Sequence, residues 1–422
     1  MTTTPAQHAA HVADQIEPVL HGLCDSARAE TVQLHPGGPA LGRVLAADVH
    51  SPVPVPPFRN SQMDGYAVRA ADLDGATPDA PVRLPVGTVR AAGDAAGEHA
   101  PGTATPIMTG AAVPHGADAV VPIEVVDPPR FLGIGSAAPA PEAAVSFSAP
   151  VAPATFVRAE GSDIAAGAPL LPAGTRLGPV QLAALAAVGI TEVPVRPRLR
   201  VLLISTGHEL RAPGTTLDSG QIHDANTASL AASLVDSGAE VVCAFAPDDA
   251  AALDATIAAH PDVDLLITTG GVSAGAFEVV RDALEPRGVR FGHVAMQPGG
   301  PQGLGAITRD GRPPLPVVAF PGNPVSALLS FEMFLRPLLR RTAGLHARRT
   351  VLRAPLSSAV ESPEAKHQIR RGVLHDDGTV ELGAPGSHLL HDYALATVLA
   401  HIPVGVGALP AGAEVEIWRI DD

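Results

Sequence analysis

The sequence predicts an α/β protein of several domains, centred on a doubly wound α/β domain, with a small β-rich module before it and a small β-barrel or sandwich after it. Three observations predict this. From Leu199 onward, short apolar runs alternate with helical patterns, as expected for strands buried on both faces and joined by crossover helices. Between Phe58 and Phe156, short strand-like runs are broken by Gly and Pro. Beyond about Gly344 the pattern turns strand-like again, at Val351, Gly372–Leu374, Thr379–Leu382 and Val415–Trp418.

Along the chain, Ala9 to Leu23 has helical spacing, and Val32 to Asp48 reads as an extended piece followed by a brief helix through Ala40–Val44. Pro52, Pro54, Pro56 and Pro57 exclude helix interior and central strand. Phe58–Arg69 therefore reads as a loop entering a strand, with Asp64-Gly65 as its turn. The Ala/Pro/Ser-rich stretch Gly133–Thr155 reads as a surface excursion. Val180–Val188 is helical and stopped by Gly189, and Ile190–Val195 is a strand. In the α/β region, strands are expected at Val201–Ile204, Val241–Ala246, Leu265–Thr268 and Val317–Phe320. Helices are expected at Asp224–Asp236, capped by Asp224, and at Asp248–Ala259, Ala276–Leu284 and Asn323–Arg340.

Composition narrows the function classes. A hydrophobic content of 46% with 17% charged residues over 422 positions describes folded domains with sizeable cores. The net charge of -15 leaves no broad basic face for nucleic acid, and 3% aromatics argues against stacking platforms for single strands. An anionic ligand must then be held locally, by backbone N–H groups, helix N-termini, a few Arg or a metal ion. Cys24 and Cys243 form neither a disulfide framework nor a zinc spacing, and Cys243, in an apolar run, reads as a core residue. With no signal-like pattern and no run long enough for a bilayer, the expectation is a cytoplasmic protein without a membrane partner.

Four polar loops follow the strands of the α/β region, at the sheet edge where ligands bind in such folds. They are Ser205–Glu209, Asp248-Asp249, Thr268–Gly275 and Pro321–Ser326. Gly270 and Gly271 let backbone N–H groups approach an anion ahead of a helix, with Ser273 beside them. Pro321 and Pro324 stiffen the last loop. Glu209, Asp248, Asp249 and Glu278 are carboxylates on or beside these loops. Singly each reads as a cap or a solvated charge; together with a phosphate nest they suggest Mg²⁺ bridging protein and ligand. His208 and His223 lack ligand spacing and read as surface or capping residues.

Seven segments in order resemble the MoeA family of molybdopterin molybdotransferases, whose eukaryotic counterpart is part of gephyrin. They are Asn60–Arg69, Met108–Ala111, Gly161–Ile164, Ser205–Gly207, Gln221–Asp224, Gly270–Ser273 and Pro321–Ser326. The resemblance implies an elongated homodimer of four-domain chains. A linking domain would come from residues 30–50 and 167–196 and a β-rich inserted domain from 51–166. The α/β molybdopterin-binding domain would come from 8–29 and 197–343, and a C-terminal β-barrel from 344–422. It also implies the reaction: molybdate is inserted into adenylated molybdopterin, with Mg²⁺ assistance and release of AMP, in molybdenum cofactor biosynthesis. A molybdopterin adenylyltransferase would hand over the substrate. Asp64, Thr109 and Asp163 match family positions at a cleft lined by both subunits. Glu209 and Asp248 match acidic positions on the α/β domain, with the metal expected there, and Asp224 matches another. Pro321 and Pro324 match the loop shaping the ligand edge, while Arg371 and Ser387 match positions on the terminal domain facing the same cleft.

The chain departs from the family in four places. Arg59 stands where an acidic residue is usual, and Glu278 where Asp is common. The stretch near Tyr393–Leu399 lacks the common Asn-containing form. The largest departure is that His293, Gln297 and Gly300 occupy positions that relatives fill with lysines, the point charges suited to molybdate and phosphate. Two readings follow: an active enzyme whose anion site relies on Mg²⁺, backbone N–H groups and Arg158 or Arg371, or a divergent non-catalytic paralogue acting as carrier or scaffold.

Overall fold

The computed structural model describes residues 2–132, 143–272 and 279–421. Its first helix, Pro5–Gly22, starts earlier than expected because Thr4 and Gln7 form a reciprocal capping box and Pro5 takes the first turn. Val12, Ile16 and Leu20 fall on one face of this helix and are buried against the α/β domain. No helix forms at Ala40–Val44. A turn closed by Arg43 N–H to the Ala40 carbonyl at 3.1 Å takes its place, because Gly42 adopts a positive φ.

The central sheet has seven strands in the order Thr2–Thr3, Arg290–Val294, Pro301–Arg309, Arg312–Phe320, Leu265–Thr269, Arg200–Thr206 and Glu240–Ala246. Its last four strands run parallel. Pro301–Arg309 joins antiparallel on both sides, so the sheet is mixed rather than wholly parallel. The strand expected at Val317–Phe320 is the end of a longer hairpin arm. Its first three residues, Arg312-Pro313-Pro314, are exposed and hid the pattern. Helices Ala225–Asp236 and Ala250–Ala258 connect the parallel strands. Asp249 caps the second through Ala251 and Ala252 N–H, so that helix starts after Asp248. The helix expected from Ala276 is described from Val279 to Leu284 only.

The long helix expected at Asn323–Arg340 is three pieces: Pro324–Ser330, a π turn at Phe331–Leu335, and Arg336–Thr342. The widened turn carries the buried Glu332, which faces Arg336 at 3.6 Å and Arg349 at 2.8 Å. Cys243 is exposed, not a core residue, because its strand lies at the sheet edge.

Before this domain, Glu30–Gln33 pairs with Glu192–Val195 and Val49–His50 with Pro169–Leu171, around a core of Val32, Leu45, Leu177 and Leu185. In the β-rich region, Gly65–Val68 lies between Thr105–Ile107 and Ala119–Pro122. Gly65 is the first residue of that strand, and a Cβ there would collide with the Val121 carbonyl. Close strand approach, not the turn, requires this glycine. Part of the expected surface excursion, Ala144–Phe147, is a strand that buries Val145 and Phe147; residues 133–142 of it lie outside the described residues.

The C-terminal sheet runs Met296–Gln297, His367–Leu374, Val398–Ile402, Glu414–Arg419, Val351–Pro355, with Val380–Leu382 beside His367–Leu374. A bridge from Leu356 to Val380 curls the sheet back on itself. One core runs through both domains, since Ile369 and Leu399 pack with Val294 and Phe320.

Candidate active site

The carboxyl ends of Arg200–Thr206, Leu265–Thr269 and Arg312–Phe320 open into a cleft of about 950 Å³, closed on the far side by the C-terminal domain. Beneath it runs a chain of hydroxyls. Thr227 Oγ1 donates to Asp224 Oδ2 at 2.6 Å, Ser205 Oγ lies 2.8 Å from Thr227 Oγ1, and Ser205 Oγ lies 3.1 Å from Thr269 Oγ1. These bonds tie two strand ends to one helix N-terminus and fix the height of the loops above them. Gly270, at φ 91°, is required here, because a Cβ would stand 2.8 Å from the Thr206 carbonyl.

Four sets of predicted residues line this cleft. Glu209 and Asp248 stand on one wall, Gly270 and Gly271 on the floor, Pro321 and Pro324 on the next loop, and Ser387 on the C-terminal side. Asp248 Oδ2 accepts the His208 backbone N–H at 2.9 Å and lies 2.9 Å from His208 Nδ1, so the two loops bearing the carboxylates are joined. The His208 ring itself is 74% exposed and outside the cleft walls.

Other predicted residues lie elsewhere. Asp224 does not line the cleft; its carboxylate caps Ala225–Asp236 through Thr227 N–H at 3.0 Å and anchors the hydroxyl chain. Arg371 is fully buried beside the cleft, where its Nη2 donates to the carbonyls of Ala384 and Gly386 at 2.8 and 2.9 Å. It thereby positions the Pro385–His388 loop rather than forming a wall. Arg158 bonds Asn60 Oδ1 at 3.3 Å in the β-rich region, also away from the cleft. Asp64, Thr109 and Asp163 lie on exposed loops of that region. Asp64 Oδ1 accepts both the Thr109 N–H and hydroxyl at 2.7 Å, and these two bonds hold its carboxyl below the usual carboxylate range. Ser273 and Glu278 lie outside the described residues.

Sequence reasoning missed Asn226 and Lys366, both cleft-lining. Asn226 Nδ2 donates to the Gly322 carbonyl at 2.7 Å, while its buried Oδ1 has no partner. Its signal was its place in the first turn of the helix that Asp224 caps, two residues after the cap. Among the described residues there is no group of three or more His, Cys, Asp or Glu that could hold a metal ion. Glu209 and Asp248 suit an ion that completes its shell with ligand phosphate and water, as Mg²⁺ does with one or two carboxylates.

Three family models cover the chain in sequence. The MoeA N-terminal region (domain I and II) matches residues 3–189, a probable molybdopterin binding domain 202–341, and the MoeA C-terminal region (domain IV) 353–420. Molybdopterin molybdenumtransferase 2 of Mycobacterium tuberculosis H37Rv is 46% identical over 394 residues, spanning 90% of this chain and 93% of the relative. The molybdopterin molybdenumtransferase of Synechococcus elongatus is 39% identical over 391 residues, spanning 89% and 91%. The crystal structure of a molybdopterin biosynthesis MoeA protein from Pyrococcus horikoshii superposes with a TM-score of 0.77 at 33% identity, covering 97% of this chain and 98% of that one.

Proposed function

This chain belongs to the MoeA family, and on that premise we infer that its cleft inserts molybdate into adenylated molybdopterin, releasing AMP, as an enzyme of molybdenum cofactor biosynthesis. The observation that carries this reading is convergence. Two carboxylates, a two-glycine turn, a proline-stiffened loop and Ser387 line one cleft.

The roles follow from chemistry. The Gly270 N–H donates to the Phe320 carbonyl at 3.1 Å, which fixes the turn, and leaves the Gly271 N–H as the backbone donor that would meet a ligand phosphate at the cleft floor. Glu209 and Asp248 would hold Mg²⁺, which when bound neutralises charge on the phosphates. Asn226 holds the Pro321–Pro324 loop through the Gly322 carbonyl, with its buried Oδ1 left unpaired beside the cleft. Ser387 offers a hydroxyl from the opposite wall, on a loop that Arg371 holds. The phosphoanhydride opens by attack of a water or molybdate oxygen, which displaces the pterin phosphate or AMP, and the dithiolene sulfurs that bond molybdenum displace oxo ligands, which leave as water with the thiol protons; binding and charge placement carry the catalysis.

We further place Asp64, Thr109 and Asp163 at the same cleft in a homodimer, contributed by a second copy. Their support is that the Asp64–Thr109 clasp is solvent-facing and ordered within one chain. Substrate arriving from an adenylyltransferase suits a cleft that opens to solvent.

The test is AMP release from adenylated molybdopterin with molybdate and Mg²⁺ varied separately. Molybdate-dependent release that stops without Mg²⁺ is the expected result. Pterin binding without AMP release would leave a carrier instead.

A further inference from the structure

The chain contains one lysine, Lys366, and it stands on the wall of the cleft. No arginine lines that cleft, although Lys and Arg together number 28. The position is set by strand register. Met296–Gln297 leaves the central domain and pairs in parallel with His367-Gln368, which puts Lys366, one residue earlier, beside the His293–Gly300 wall. Gln297 is further tied down, since its Oε1 accepts from Gln368 Nε2 at 2.8 Å.

This wall carries His293, Gln297 and Gly300, where the family resemblance implies lysines. Gly300 has no side chain, and a Cβ there would collide with the His293 ring. Gln297 is neutral and engaged. His293 does not replace a lysine at neutral pH, because burial, and then the neighbouring Lys366 ammonium, push its pKa below the usual 6.5. His293 and Lys366 line the same cleft. No carboxylate among the described residues stands within ion-pair distance of Lys366, so its charge is available to a ligand.

We propose that Lys366, reaching in from the C-terminal domain, is the cation that binds a tetrahedral oxyanion at this wall, in place of lysines at positions 293, 297 and 300. The ligand class is molybdate or a terminal phosphate, which share charge and shape. The proposal rests on the transferase reading for the identity of the anion but not for its binding. It also divides the site between two domains: carboxylates and the Gly271 N–H from one, the cation from the other.

A single lysine makes the test clean. Protein grown with [13Cε]lysine shows one resonance, which is followed while sodium molybdate and, separately, inorganic pyrophosphate are titrated into the full chain. A saturable shift is expected. A shift with molybdate alone assigns the metal oxyanion, and one with pyrophosphate alone assigns the phosphate. Lys366→Met should weaken binding of that anion by roughly tenfold or more, the usual loss for a charge-assisted contact. Lys366→Arg should retain most of it, and Gln297→Lys in the Lys366→Met background should recover part. A resonance unmoved by either anion, or Lys366→Met binding within twofold of the parent, would overturn the proposal. The two readings separate cleanly. AMP release with an unmoved lysine sinks only the anion site, whereas a shifted lysine without AMP release sinks only the transferase.

Discussion

Asn226 Nδ2 donates to the Gly322 carbonyl oxygen across 2.7 Å, joining the first turn of one helix to the loop that starts another. The bond spans two crossovers of the central sheet. The Pro321–Pro324 loop therefore moves only if the helix Ala225–Asp236 moves with it.

Replacing Asn226 by Ala leaves that carbonyl unpaired in a half-buried place. A stability loss of about 1–3 kcal/mol is expected, the range for an orphaned buried acceptor. KM for the pterin substrate should rise more than kcat falls. Chemical denaturation and steady-state kinetics on one preparation decide it, and an unchanged KM would remove the loop-holding role.

Asp248→Asn keeps the shape of the side chain and its bond to the His208 N–H but removes the charge. AMP release should fall, and the Mg²⁺ concentration for half-activity should rise. Glu209→Gln should behave alike. A Mg²⁺ titration in which both variants overlay the parent curve contradicts the assignment.

Glu332 sits in the π turn with its side chain 10% exposed, between Arg336 and Arg349. Removing it takes the one buried carboxylate between these guanidinium groups away, and breaking a buried pair of this kind costs about 3–5 kcal/mol. Glu332→Ala should lower the thermal midpoint by several degrees, while Glu332→Gln, which retains two acceptor lone pairs, should lose less. Equal midpoints for Ala and Gln would mean the charge matters little.

Burial pushes His8 down to about 4, helped by His11, and His401 to about 3, helped by His367. Burial lowers His367 as well. Each folded pKa lies below the unfolded 6.5, so the unfolded chain binds more protons between those values. The contribution of these rings is complete above pH 6.5 and is lost as pH falls toward 4. The thermal midpoint should decline across that window, less steeply in His401→Gln. A flat profile between pH 6.5 and 4.5 would contradict this.

The parallel half of the central sheet was legible because its strands are buried on both faces and read as unbroken apolar runs, such as Val201–Ile204. The antiparallel arm was not: Arg290–Val294 has an exposed pattern, and Pro301–Arg309 carries Gly303 and Gly305, which read as loop. At the cleft, position that follows from residue type and loop was readable: Glu209 and Asp248 both line the walls. Position that depends on register was not. Lys366 is unremarkable in sequence and reaches the wall only because Met296 pairs with His367. Arg371, expected to face the cleft, is buried, and its Nη2 donates to two carbonyls of the Pro385–His388 loop region.

The excursion of Met296–Gln297 into the C-terminal sheet has a consequence for modularity. The chain leaves one domain, adds an edge strand to another, and returns within a few residues to Pro301–Arg309. The two domains are thus sewn by a backbone stitch as well as by side-chain packing. A graft or truncation at residue 344 would cut the thread and leave a strand without its sheet. Any opening that admits substrate must hinge at a different seam.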